Sequence, residues 1–265
     1  MEDCKGKEET EMDKVDILYV IGTGSQNNNA ELLYSLRSVS KYCKNVGRVV
    51  ISGDIPSFVG GAAETIPCHD VEVFGKHWNM LYKISQGIRR ANLTKPFLFS
   101  CDDHFFTRPT DLTQWRQRLR CDHIYTEKEW EEEHKHMCGK YQRAIAATGE
   151  LLRSQGLPAI NTVWHGNMWI DPKYLDDVIA LAESHRKASV YGFEPMMIFE
   201  SFMHRDGVDG PLVPLVRDVK ASSFELAQSY ASAYGCFSTS DKAWVNGLLK
   251  KWLAKMFPEK SEYEK

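Results

Sequence analysis

"VDILYVIGTGS", residues 15–25, is a short apolar run that stops in Gly22, Thr23, Gly24 and Ser25. A run of that length ending in glycine and hydroxyl residues reads as a buried strand opening into a loop. Working outward, residues 29–43 ("NAELLYSLRSVSKYC") place Leu32, Leu33, Leu36 and Val39 on one helical face, with Asn29 as N-cap. "GRVVISGDIP" (47–56) is a second buried strand closing on Asp54. "HWNMLYKISQGIRRA" (77–91) is helical by the spacing of Met80, Leu81, Ile84 and Ile88, and "PFLFSCDDHFF" (96–106) begins as a third strand. Strand, helix, strand, helix, strand predicts an α/β fold: a mostly parallel central sheet with right-handed crossovers, flanked by helices.

Residues 111–155 are charged and mainly helical in pattern. "AINTVWHGNMWID" (159–171) reads as a strand, and "PKYLDDVIALAESH" (172–185) as a helix with Pro172 in its first turn. "DKAWVNGLLKKWLAKMFPEK" (241–260) reads as one helix with Trp244, Leu248, Trp252 and Met256 on a face. There is no internal repeat or low-complexity linker, so residues 15–265 are expected to form a single domain behind a flexible polar segment, 1–14.

Of the 265 residues, 43% are hydrophobic and 26% charged, the balance of a soluble globular protein. A net charge of −3 supplies no global basic field and leaves a nucleic-acid contact to a local patch. The first sixteen residues lack the apolar core of a signal peptide, and no apolar run is long enough for a membrane span. The seven cysteines are scattered without CxxC pairing and read as reduced thiols, which predicts a cytoplasmic protein.

The informative anomaly lies at the end of the third strand, where Asp102, Asp103 and His104 stand between the apolar pairs Leu98–Phe99 and Phe105–Phe106. In an open parallel sheet ligands bind at the carboxyl ends of the strands. Adjacent carboxylates raise one another's pKa unless something positive intervenes, and a divalent cation, Mn²⁺ or Mg²⁺, removes the conflict. Asp102, Asp103 and His104 are therefore the candidate metal ligands. Gly22, Thr23 and Gly24 are candidates to bring backbone N–H groups to a nucleotide, although the loop is neither GxGxxG (residue 27 is Asn27) nor a P-loop. The competing reading of such an Asp pair is a structural cap.

Residues 27–59 ("NNNAELLYSLRSVSKYCKNVGRVVISGDIPSFV") together with "FLFSCDDHFF" (97–106) resemble the Stealth family and its shorter phage and prophage relatives, and residues 236–265 resemble the ending of the short phage-type proteins. The resemblance implies a GT-A-like nucleotide-diphospho-sugar transferase fold, with a donor-binding half over about 15–110 and an acceptor half over about 111–265. It implies that Asp102 and Asp103 hold the cation and the donor, favouring a UDP-sugar. Asn29, Arg37, Asp54 and Lys220 become further donor-binding candidates, and His165, Asp218 and Asp103 catalytic ones. The Trp-Val-Asn/Asp-Gly-x-Asp opening of long Stealth proteins is absent, and Cys101 replaces the Asn that usually precedes the Asp pair. Glycosyl transfer is therefore expected ahead of sugar-1-phosphate transfer or a non-catalytic glycan-binding module. The company of phage proteins implies a host cytoplasmic enzyme whose acceptor is a hydroxymethylated base in DNA or a surface polysaccharide.

Plainer readings stand beside these. Arg37 also fits a surface ion pair, and His165 a half-buried histidine. "HKHMC" (134–138) has the composition of a zinc site without its spacing. Trp244 and Trp252 fit a core, while Trp78 and Trp164 are the better sugar platforms.

Overall fold

A computed structural model describes residues 14–115, 128, 132, 139–159, 165–185, 192–205 and 219–265. The chain enters with β1 (Val15–Ile21), α1 (Ala30–Tyr42), β2 (Cys43–Lys44), β3 (Val46–Gly53) and β4 (Ala63–Pro67). Then come α2 (Lys76–Arg90), β5 (Phe97–Cys101), β6 (His104–Phe106) and β7 (Thr110–Asp111). The later elements are α3 (Lys140–Ser154), β8 (Met168–Ile170), α4 (Leu175–His185) and α5 (Pro195–Met203). The last are β9 (Lys220–Ala221), α6 (Phe224–Tyr234), β10 (Cys236–Thr239) and α7 (Leu248–Met256).

The central sheet has the order β4-β3-β1-β5-β8. Its first four strands are parallel and β8 pairs antiparallel to β5. The α/β expectation holds: the sheet is mostly parallel and flanked by helices. β1 is buried on both faces, which is why it reads as nearly unbroken apolar sequence. Ile17, Tyr19 and Ile21 pack with Leu32, Leu36 and Val39 of α1, while Leu18 packs with Leu81, Ile84 and Ile88 of α2. A Cβ at Gly87 would lie 2.6 Å from a Leu18 methyl, so glycine lets α2 lie close on the sheet. The chain leaves β1 toward β3 on one side and returns at β5 on the other. The carboxyl end of β1 is therefore the switch point at which such sheets bind ligands.

A three-stranded ribbon, β6-β10-β9, carries the chain away from the sheet directly after the Asp pair. Two serines of α1 hold it in place: Ser35 Oγ donates to the His104 carbonyl, and Ser38 Oγ accepts from the Phe106 amide at 3.0 Å. The "YSLRS" and "DDHFF" stretches are thus physically joined, helix side chains fixing the backbone beyond the acids.

Three sequence expectations change. β4 lies in a stretch without apolar periodicity and owes its place to parallel pairing with β3. The expected strand over 159–171 is limited among the described residues to β8. The expected helix over 241–260 is split: Asp241–Trp244 is a 3₁₀ turn, Gly247 sits at φ +69, and α7 begins at Leu248. Its buried face is Leu249 and Leu253, with Leu248 exposed. Among the described residues no helix is long and apolar enough to cross a membrane.

Candidate functional site

β5 delivers Cys101 to the carboxyl edge of the sheet, Asp102 and Asp103 form the turn, and His104 opens β6. Ligand atoms of Cys101, Asp103 and His104 lie within 4.8 Å of one another, and His104 Nε2 is 3.8 Å from Asp103 Oδ1. His104 Nδ1 lies 2.8 Å from Asn167 Oδ1 and accepts from the Cys101 amide at 3.3 Å. An Nδ1 proton given to Asn167, in place of the bond from the Cys101 amide, would leave the Nε2 lone pair toward Asp103. Asp103 is 21% exposed at its side chain, so the cluster opens to solvent on one side.

Burial, first, and then charge explain the titration of the cluster. Burial raises Asp102 above the ordinary carboxylate range; the Asp103 and Glu31 carboxylates push the same way, against its own amide and Lys76. Burial also raises Asp103, with Lys220, His165 and the Thr239 N–H offsetting part of it. The Cys101 thiol is lifted well up by burial and by the two aspartates. The adjacent carboxylates thus feel different charges: Asp102 those of Glu31 and Lys76 in the first turns of α1 and α2, Asp103 those of Lys220 and His165.

The ribbon register explains how Lys220 arrives. Ser238 is opposite His104 on one side and Lys220 on the other, so the three side chains share one face. Ser238 is fully buried, and its Oγ has no hydrogen-bond partner among the described residues. His165 holds φ +50 just before β8, with its ring centroid 6.1 Å from that of Tyr141. Glu194 is 4% exposed, accepts from the Met196 amide as N-cap of α5, and is pushed by burial up to about 7. His165 and Lys76 pull it only partly back.

The loop above β1 is ordered by Glu31, which accepts from Ser25 Oγ (2.9 Å) and Asn27 Nδ2 (2.5 Å). Asn28 and Asn29 both take left-handed backbone, φ 55 and 57, which asparagine tolerates better than most residues. Asn29 is at the N-cap position, but its side chain makes no cap bond; its amide donates instead to Ser25 Oγ. A Cβ at Gly24 would meet nothing within 4 Å, and one at Gly22 only the Gly24 amide at 4.0 Å. The space over the loop, including Thr23, is open.

Two candidates are engaged elsewhere. Arg37 makes a two-pronged pair with Glu264 (2.9 Å each) and donates to the Phe257 carbonyl, so the structure places it in the ion pair that was its plainer reading. Asp54 lies at the end of β3 between Lys83 (2.9 Å) and His69 (2.6 Å). Trp78 packs edge-on to Phe193 at 4.8 Å. Asp218, Trp164 and the 134–138 cluster lie outside the described residues.

Asp103 and His104 fit the expected cation and converge, as does Cys101; Asp102 is not in the convergent group. Cys101 escaped sequence reasoning because its thiol stood only as a departure from a motif. Glu194 escaped because a Glu-Pro step before an apolar helix reads as a cap, and Lys76 because a lysine in a helix's first turn reads as solvated. Comparison with protein-family models finds no match, and comparison with curated proteins finds none either.

Proposed function

We propose that this chain is a metal-dependent glycosyltransferase on a GT-A-like fold, moving a sugar from a nucleotide-diphosphate donor, with a UDP-sugar favoured. The observation that carries the reading is the joining of cation ligands, balancing lysines and an open glycine loop at the switch point of a parallel sheet. A transferase of this kind must bind a diphosphate anion beside carboxylates. Lys76 and Lys220 supply the positive charge, and Asp103 and His104 would share a divalent cation. The chemistry expected of such a cation is neutralisation of the charge gathering on the departing diphosphate.

Glu194 is the preferred general base. A carboxyl raised to about 7 exists in both forms at neutral pH, which suits it to accept a proton from an acceptor hydroxyl. His165 is the alternative. The hydroxyl of a hydroxymethylated base in DNA and that of a surface glycan present the same nucleophile, and DNA is the acceptor we favour.

The test is donor turnover. The protein is incubated with UDP- and GDP-sugars and a divalent cation, with and without hydroxymethylated DNA, and the released nucleotide is identified by mass. Nucleoside diphosphate is expected, stimulated by acceptor and reduced on the order of 100-fold or more in Asp103→Asn. Release of a nucleoside monophosphate would move the assignment to sugar-phosphate transfer, and no release from any donor would end it.

A further inference from the structure

The geometry points to a Cys–Asp–His cation site, formed by Cys101 Sγ, Asp103 carboxylate and His104 Nε2, that takes a borderline ion of the zinc class in preference to Mg²⁺. The inference deepens the proposed function, which needs a cation at the end of β5 but not this ligand set.

The first argument is the chemistry of the donors. Mg²⁺ demands an octahedron of oxygens and rejects thiolate and imidazole, whereas zinc-class ions take sulfur, nitrogen and carboxylate together. One ligand atom from each of Cys101, Asp103 and His104 lies within 4.8 Å of the others. Tetrahedral bonds of about 2.0–2.3 Å put neighbouring ligands about 3.4–3.6 Å apart, and the Nε2-to-Oδ1 separation is 3.8 Å.

The second argument is the shell behind the ligands. Asn167, itself buried, lies with its Oδ1 2.8 Å from His104 Nδ1, and a proton on Nδ1 given to it would turn the Nε2 lone pair to the cluster. Ser35 Oγ donates to the His104 carbonyl and fixes the backbone beyond the acids. On the same ribbon face as His104, the buried Ser238 hydroxyl lacks a partner among the described residues, which suits a bound ion's water. Three protein ligands with a solvent-facing side make the arrangement of a catalytic rather than a closed structural site. On coordination the thiol proton passes to buffer.

The experiment titrates the full chain, stripped by chelator and kept reduced with a phosphine, with Co²⁺ as a spectroscopic stand-in for Zn²⁺. A near-ultraviolet thiolate-to-cobalt charge-transfer band is expected, saturating at one ion per chain, abolished by Zn²⁺ and untouched by a large excess of Mg²⁺. Cys101→Ser should remove the band and weaken Co²⁺ binding at least about tenfold, with circular dichroism unchanged. Asp103→Asn should weaken binding similarly while keeping the band, and Cys138→Ser should change nothing. Absence of the band, its survival in Cys101→Ser, or displacement by Mg²⁺ would overturn the assignment. Turnover of a nucleotide sugar in Mg²⁺ without the band would sink this inference and leave the transferase standing. The band without turnover of any donor would do the reverse.

Discussion

Glu194 is a carboxylate that the fold withdraws from water and only partly compensates. One N–H, from Met196, reaches it at 3.5 Å, and His165 and Lys76 act from further away. Burial therefore carries its pKa from 4.5 to about 7. Between those values the native state holds a proton that the unfolded chain has released, so stability falls as pH rises through that window and the full penalty stands above about 7. Glu194→Gln keeps a cap acceptor and cannot ionise. It should be more stable than the parent by about 3 kcal/mol near pH 8 and by almost nothing near pH 4. Thermal melts at both values decide it; a gain that is the same at both would show that the carboxylate is not the cause. At neutral pH the stabilised variant should also transfer sugar more slowly, the expected exchange of stability for function at a charged site.

α2 shows how an element buries a charge where the sequence pattern suggests none. Lys83 is only 2% exposed, and its three N–H donors meet the Ile21 carbonyl (2.9 Å), Asp54 (2.9 Å) and Asp70 (2.7 Å). Burial alone would pull the ammonium pKa down; Asp70 and Asp54 outweigh it and hold it above the ordinary value. One side chain thus ties the carboxyl end of β1 to that of β3 and to the segment after β4. The same end of β3 uses Gly53 at φ +130, where a Cβ would lie 2.0 Å from the Ile21 carbonyl oxygen. Lys83→Met should cost about 3 kcal/mol, because it strands a buried carbonyl and two aspartates that stay partly in water. Equilibrium unfolding in urea measures it, and a loss under about 1 kcal/mol would mean that the network only decorates the sheet edge.

At the scale of the molecule, the last residues form a strap. The chain beyond α7 returns across α1 and the β3–β4 connection. Tyr263 and Lys265 bond to Gly60 and Phe58 through backbone groups, and Tyr263 joins the core cluster under α1. Arg37 clamps Glu264; burial by itself would raise that carboxyl, but Arg37 and Ser261 hold it below the ordinary 4.5. A depressed carboxyl contributes stability that is present above 4.5 and is lost as pH falls through its native value. Deleting residues 259–265 should cost about 3–5 kcal/mol at neutral pH through the lost pair and the buried tyrosine ring. The deficit should shrink in acid. Calorimetry at neutral and acid pH tests this, and a deficit independent of pH would remove Glu264 from the account.

The α/β class and the placing of Asp102, Asp103 and His104 at a strand end were legible in the chain itself. Buried parallel strands carry long apolar runs, and helices between them carry a 3.6-residue period, so both signals are local. Gly22 to Ser25 were legible as a loop for the same reason. What the sequence could not say is which side chains meet. Lys220 comes to the ribbon face of His104 only through the β6-β10-β9 register, Glu194 and Asn167 to the site only through α5 and the start of β8. Arg37 and Asp54 were drawn to Glu264 and Lys83, partners 227 and 29 residues away. Charge neutralisation inside a fold depends on distance in space, which no local period encodes, and so the tertiary structure alone decided which carboxylates face a ligand and which hold the protein together.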